Sequence, residues 1–311
     1  MISIAKLGLL AIVIYGVAAR PAPEWTSFVF TRLDNSSVYA GSTNWFSVTI
    51  VSDDSPIQYT HSALSPDRTK LATVVGGDIW GGNHQLWLVD LNADIKTRIA
   101  SELSDAGIGG VDWSPDGRLL YFSGKKIDST SDIYIYNLDT ATLTQLTFTA
   151  DLHEADVSIS EDGTLLTFAG IPKSVDAKSN IWISNVDGSQ PRLVYSSPKY
   201  GAFLGSGIPL GAYDPEWSPD NQKVIFQVLR NDNGTNFGFG SADILITDIN
   251  TKKTETFVSD GAIHAVPDWN HRGIIWMEWN ESDNYKGLRF KGNNTRSRRL
   301  FKDAIFPKWI P

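Results

Sequence analysis

Residues 110–122 read Gly110-Val111-Asp112-Trp113-Ser114-Pro115-Asp116-Gly117-Arg118-Leu119-Leu120-Tyr121-Phe122. The stretch divides into a short strand ending on Trp113, a four-residue turn, and a second strand that reverses direction. Pro115 presets one φ, the Asp116 side chain can bond its own backbone, and Gly117 accepts a positive φ, so the turn is that of a tight hairpin. It recurs as Ser65-Pro66-Asp67-Arg68, Ser160-Glu161-Asp162-Gly163, Ser218-Pro219-Asp220-Asn221 and, degenerate, Asn270-His271-Arg272-Gly273. The first residues of successive copies lie 49, 46, 58 and 52 positions apart. A period of that size, with apolar alternation on both sides of each copy, marks a β-propeller or a similar array.

Working outward, each repeat reads as four strands of period-two alternation. After Arg118–Phe122 come a third strand at 132–138 and a fourth at 143–147. The third strand recurs at 85–90, 180–185 and 243–248. The tryptophan before the turn recurs at 113, 217, 269 and 309, with Leu64 and Ile159 in the same slot. A large apolar residue at one register in every copy is what packing between blades demands. The ends complete the pattern: 306–311 matches a first strand with nothing after it, and 27–32 a second strand with nothing before it. The C-terminal strand is therefore expected to pair with the N-terminal blade and remove the open edges. The expected fold is an all-β, six-bladed propeller. Its blades fall at about 26–60 with 304–311, then 61–104, 108–150, 153–198, 212–260 and 264–301.

The Trp-Ser-Pro-Asp-Gly unit at 113–117 and its copies resemble the TolB-like propeller repeats, a WD-like family, over essentially all of residues 20–311. The resemblance implies the fold and leaves the activity open, because the family spans secreted and periplasmic binding proteins, peptidase propeller domains and polysaccharide lyases. The nucleophile elbow of the peptidases is not found; Gly205-Ser206-Gly207 lacks its spacing.

Lys6 followed by the apolar run Leu7–Ala19, with small residues at 17–19, reads as a secretory signal peptide covering 1–19, too short to span a bilayer. A single propeller domain at 20–311 and extracellular localisation follow as expectations, with no membrane insertion after cleavage. The chain has no cysteine, so its core must hold without disulfides, and eleven tryptophans make that core credible. Glycosylation triplets begin at Asn35, Asn233, Asn280 and Asn293. A net charge of −8 argues against nucleic acid as a partner. The short cluster Arg296, Arg298 and Arg299 is expected to be a solvated edge.

Strand order sorts the loops. First-to-second and third-to-fourth turns are short and share one side; second-to-third turns and links between blades are long and share the other. Loops on a rigid scaffold carry binding, so the long-loop face is the expected working face. His61, His153 and His264 precede innermost strands there, with Glu154, Asp156, Tyr213 and Asp214 in the same zone. Such a set can perform acid–base chemistry or cap strands; neither a metal nor an organic cofactor is expected. Trp80, Tyr200, Phe203, Phe237 and Phe239, in glycine-rich loops, together with Tyr213, are the candidate contacts for a ligand. Asp112, Glu216 and Asp268 share one register, interrupted by Ala63, Ser158 and Lys308. Two readings follow. One is a propeller binding a protein, glycan or small molecule on its long-loop face. The other is an enzyme, a lyase or a cyclase-type isomerase, using His61, His153 and His264 with Glu154 or Asp214.

Overall fold

The computed structural model describes residues 22–24, 26–35, 37–51, 59–76, 83–127, 129–174, 178–198, 210–230 and 241–311. Apart from one 3-10 turn at Glu281–Asp283, every regular element among them is a strand. The first sheet takes β1 (Phe28–Arg32), β2 (Val38–Gly41) and β3 (Ser47–Val51) from one end of the chain and β24 (Ala304–Trp309) from the other. The second holds β4 (Tyr59–Leu64), β5 (Lys70–Val75), β6 (Gln85–Asp90) and β7 (Ile95–Ile99). The third holds β8 (Asp105–Trp113), β9 (Leu119–Lys125), β10 (Asp132–Asn137) and β11 (Thr142–Gln145). The fourth holds β12 (Leu152–Ile159), β13 (Leu165–Pro172), β14 (Asn180–Asn185) and β15 (Arg192–Tyr195).

The remaining strands are β16 (Gly211–Trp217), β17 (Lys223–Leu229), β18 (Ala242–Asp248), β19 (Thr254–Val258), β20 (Ile263–Asn270), β21 (Gly273–Asn280), β22 (Tyr285–Gly292) and β23 (Arg298–Lys302). They form two further antiparallel meanders, β16–β19 and β20–β23, joined by one parallel bridge between Ala242 and Ile263. Each meander thus has the four-stranded composition that the repeats predict.

The turns fold as their residues dictate. In all four Ser-x-Asp copies the Ser Oγ lies 2.6–2.7 Å from the Asp carboxylate. The same oxygen accepts the backbone N–H five residues on at 2.9 Å. Arg68, Gly117, Gly163 and Asn221, at the fourth position, all have positive φ.

β24 pairs with β1, Phe28 opposite Trp309 and Arg32 opposite Ala304, as the unmatched ends predict. Strands β4, β8, β12, β16, β20 and β24 pack against one another in that order, and β24 also packs against β4. The Trp slot ties neighbours together: the indole of Trp113 donates to the Ala63 carbonyl, that of Trp217 to Ser158 and that of Trp309 to Asp268. Each bond runs from one inner strand to the one before it, so these rings are structural.

The arginine cluster departs from expectation. Arg299 pairs with buried Glu278 and with Asp283, and Arg298 lies over the rings of Trp45 and Phe290. The Glu278 carboxylate, enclosed at 1% exposure, draws both Arg299 and Arg289 in from solvent.

Candidate functional site

The inner strands share a feature that residue type does not announce. Register slips between Tyr59 and Ser62, Ala106 and Val111, Ala155 and Ser158, Tyr213 and Glu216, and Ala265 and Asp268, and again where β24 meets β1. These are β-bulges, which re-aim a side chain and reverse the facing of what precedes it. Three residues before each Trp slot stand His61, Gly110, Asp156, Asp214, Val266 and Phe306. All but His61 have positive φ, Val266 among them at 47°, a costly conformation for a β-branched residue. All six line one cavity of about 40 Å3 in the channel between the inner strands.

One position before the Trp slot, a second layer is closed by its own contacts. The Asp112 carboxylate accepts the N–H groups of Trp113 and Ile159, and that of Asp268 accepts those of Trp269 and Trp309. Each carboxylate therefore staples two inner strands. Lys308 does not interrupt this acidic layer but stands within it, one ammonium among three carboxylates, with Nζ 2.5 Å from Glu216 and 3.5 Å from Asp112. Ser158 Oγ sits between the same two carboxylates, 3.0 Å from Asp112 and 2.7 Å from Glu216. Burial works against the Lys308 ammonium, yet Asp112, Glu216 and Asp268 raise it above the ordinary lysine value.

The upper layer holds no lysine or arginine of its own, and Lys308, which lines the same cavity, only partly offsets the forces that raise Asp214. Asp156 Oδ2 accepts the Asp214 N–H at 3.1 Å, and burial pushes the Asp156 carboxyl up to about 6. Burial, then the charge of Asp156, holds Asp214 well above the usual carboxylate range. Gly109 makes room for this pair, since a Cβ there would lie 1.4 Å from Asp156 Oδ1. His61 packs its ring against Phe306 at 4.0 Å, and burial lowers its pKa to about 3. It stands in the cavity as a neutral imidazole.

The three histidines do not converge. His264, two residues further from its Trp slot than His61, lies beyond the bulge and faces the blade interior. Its Nδ1 accepts from the Trp276 indole at 3.1 Å, which leaves Nε2–H to donate to Asp260 at 2.8 Å. His153 Nδ1 accepts the Ser131 N–H at 3.3 Å, and burial lowers its pKa. Glu154 is buried under the hydroxyls of Thr147 and Thr149, and burial raises its pKa against their pull. Tyr213 packs with Ala169, Leu210 and Ile263 in the core. The structure thus brings together His61, Asp156 and Asp214, and separates His153, Glu154, His264 and Tyr213 from them. Trp80, Tyr200, Phe203, Phe237, Phe239 and Asn233 lie outside the described residues, as does the segment 1–19. Among the described residues no three His, Cys, Asp or Glu side chains are spaced to hold a metal ion.

Two larger recesses flank the channel. On the long-loop side, one of about 620 Å3 runs between 260–263 and 279–286, with Trp279 and Tyr285 among its walls and Asp260, Glu281 and Lys286 at its edge. On the short-turn side, one of about 350 Å3 is walled by Trp113, Trp217, Trp269 and Trp309, with Pro66 and Pro115, over Asp112, Glu216, Asp268 and Lys308. The loop lengths gave no sign of this second concavity; the recurring Trp and Pro of the turns did.

No family model matches the chain, and no curated protein does. Among solved structures it is similar to TolB from Acinetobacter baumannii, at a TM-score of 0.62 and 17% identity, over 94% of this chain and 68% of that one. It is also similar to a chain of a nidogen/laminin complex, at a TM-score of 0.63 and 10% identity, over 92% and 98%. An oligogalacturonate lyase in complex with manganese aligns at a TM-score of 0.56 and 12% identity, over 92% and 75%. The fold is a TolB-like β-propeller.

Proposed function

We propose that this chain is a secreted binding propeller whose six four-stranded blades close into one ring at 20–311, and that a protein docks on its long-loop face. Closure is supported by the β24–β1 pairing and by the run of inner strands in which β24 meets both β20 and β4. Secretion rests on Lys6 and the apolar run Leu7–Ala19. No helix among the described residues is long and apolar enough to cross a membrane. Asn35 sits in a second-to-third turn, Asn293 in a third-to-fourth turn, and Asn280 ends β21 at the start of its second-to-third turn.

The observation that carries the reading is one of volume. Organic ligands need pockets of about 300–1,000 Å3, and the cavity holding His61, Asp156 and Asp214 offers about 40 Å3. The recess of about 620 Å3 on the long-loop side mixes aromatic walls with charged edges, the composition of a recognition surface. The nidogen/laminin neighbour is itself recorded in a complex with another protein.

Cross-linking of the tagged chain to its partners, followed by mapping of the linked lysines, tests this. Links at Lys286 that a Trp279→Ala variant, which keeps the lysine, abolishes support the long-loop face. Links confined to the short-turn side, at Lys70, Lys223, Lys252 or Lys253, overturn it. Turnover of a polysaccharide that His61→Ala abolishes would replace the binding role with the enzyme reading.

A further inference from the structure

One stretch of the surface is both aromatic and basic, in a chain whose net charge is −8. Trp45 and Phe46 stand in the β2–β3 turn, 56% and 58% exposed. Arg298 holds its guanidinium 4.4 Å over the Trp45 ring and 5.5 Å over that of Phe290, which is buried. Its Nη2 donates to the Thr43 carbonyl at 2.5 Å, and the Trp45 indole donates to the Arg299 carbonyl at 3.2 Å. Phe290, Arg298 and Trp45 thus form a stack that rises from the core and ends on an open indole face. Trp45 keeps this place at a φ of 66°, a costly conformation for so bulky a residue.

The stack belongs to a longer strip. Arg298, the first residue of β23, ties the β22–β23 turn to the β2–β3 turn. Asn293 Nδ2 ties it in turn to the β20–β21 turn, donating to the His271 carbonyl at 3.0 Å. By strand order all three turns emerge on the short-turn side, where the first sheet meets the last meander. Residues 41–47, 270–273 and 291–298 carry Arg272, Lys291, Arg296 and Arg298 and no carboxylate. Among the described residues none of these four enters an ion pair. Inward the strip ends at His271, which shares the recess of about 350 Å3 with Glu161. Anions are therefore drawn to this edge and turned away by the Asp-bearing turns at 67, 116, 162 and 220.

The setting of Trp45 decides what kind of anion fits. The two turns beside it carry Thr43, Asn44, Ser47, Asn294, Thr295 and Ser297, all but Thr43 exposed. A lipid anchor sinks a continuous apolar face into the acyl boundary, and these hydroxyls and amides oppose that. The same groups suit the hydroxyls of a sugar chain, and a pinned indole with one open face suits the flat apolar side of a sugar ring. We propose that this edge binds an anionic polysaccharide, with one sugar stacked on Trp45 and the acidic groups of its neighbours paired with Arg296 and Arg272. Guanidinium groups are well matched to such oxyanions. The site lies on the side opposite to the long-loop face and is independent of protein docking there.

Calorimetry on the full chain tests this with two size-defined anionic oligosaccharides, one sulfated and one carboxylated, and a neutral chain of equal length. At least one anionic chain is expected to bind, more weakly as salt rises, and the neutral chain about ten-fold less tightly or worse. Trp45→Ala should weaken anionic binding by about five-fold or more, and Trp45→Phe, which keeps a ring, by less. Arg296→Ala should cost about three-fold at low salt, whereas Arg118→Ala, which removes an exposed arginine from a distant turn, should stay within about two-fold. Thermal melts check that each variant is folded. The proposal fails if neither anionic chain binds. It fails also if folded Trp45→Ala binds as wild type does, since the strip would then exchange ions without a stacking site. If Trp45→Ala does not fold, Arg296→Ala and Arg118→Ala decide alone, and equal affinities overturn the site. Capture by phosphatidylglycerol vesicles through Trp45, with no oligosaccharide bound, replaces the sugar with a membrane and overturns the assignment as well.

Discussion

Ser114 uses both capacities of its hydroxyl inside the turn, donating to Asp116 at 2.6 Å and accepting the Leu119 N–H at 2.9 Å. Ser114→Ala leaves that N–H and the carboxylate short of partners, and chemical denaturation should register a loss of about 1–2 kcal/mol. The hydroxyl is also the main reason that the Asp116 pKa lies below its ordinary value, as Ser218 is for Asp220. Stability from such a depressed carboxyl is present above the unfolded-state pKa and lost as pH falls through the folded one. The channel acts in the opposite sense. Asp156 rises from 3.8 to about 6, so its contribution is full below the unfolded pKa and is lost as pH climbs through about 6, by up to ~3 kcal/mol. Asp214 and Glu216, also raised by burial, share in that transition, while the nearby His61 stays neutral and Lys308 stays charged across it. The channel's share of the stability should therefore fall between about pH 4 and pH 7, a fall that Asp156→Asn reduces in denaturation curves taken across that range. Gly109→Ala should be harsher. It sets a Cβ 1.4 Å from Asp156 Oδ1 at a φ of +76°, and a loss of roughly 2–4 kcal/mol is expected by denaturant titration.

At the scale of elements, the inner strands divide what was legible from what was not. Turns and third strands could be read because their chemistry is local: a Ser-Pro-Asp-Gly sequence makes one hairpin wherever it stands, and β6 and β14 fall at the positions that alternation marks. The bulges could not. Residue type warns against positive φ at Val266 and Phe306, and both adopt it, held by neighbouring strands rather than by their own preference. Counting along a strand without that extra residue places His264 on the same face as His61, whereas its side chain points into the blade against Trp276. Lys308 seemed to interrupt an acidic register because its partner Glu216 lies 92 positions away. No local pattern records such a pair. The Trp slot was legible as packing, but its bonds between strands were not, and they give a measurable contrast. Trp309→Ala removes a buried ring and the indole bond to Asp268, and should cost about 3–5 kcal/mol. Trp309→Phe keeps most of the packing and forfeits the bond, so about 1–2 kcal/mol is expected. Equal losses in the two variants would assign the whole effect to the indole bond.

For the whole molecule the decisive contact is between the two ends of the chain. Ile310 donates its N–H to Ser27 at 2.8 Å and shares one apolar cluster with Ala22, Val29 and Val38. Without β24, strand β1 would expose a row of unpaired backbone groups beside Phe28 and Phe30, an edge open to aggregation. The last strand of the sequence is thus the first strand of its blade, and covalent order matters less than the pairing. A chain ending at residue 303 should therefore lose cooperative unfolding or aggregate, although only the final eight residues are gone. Moving those residues should repair it. A permuted chain in which 304–311 precede residue 22 through a short Gly/Ser linker keeps every pairing of β24 with β1 and opens the backbone only at the Asp303 turn. Loop closure of this kind changes stability by little, so the permutant should melt in one transition within a few degrees of the parent chain. Circular dichroism melts of the three proteins check this. A truncated chain as stable as the parent would show that the ends do not hold the molecule together, and with it the closed ring would have to be given up.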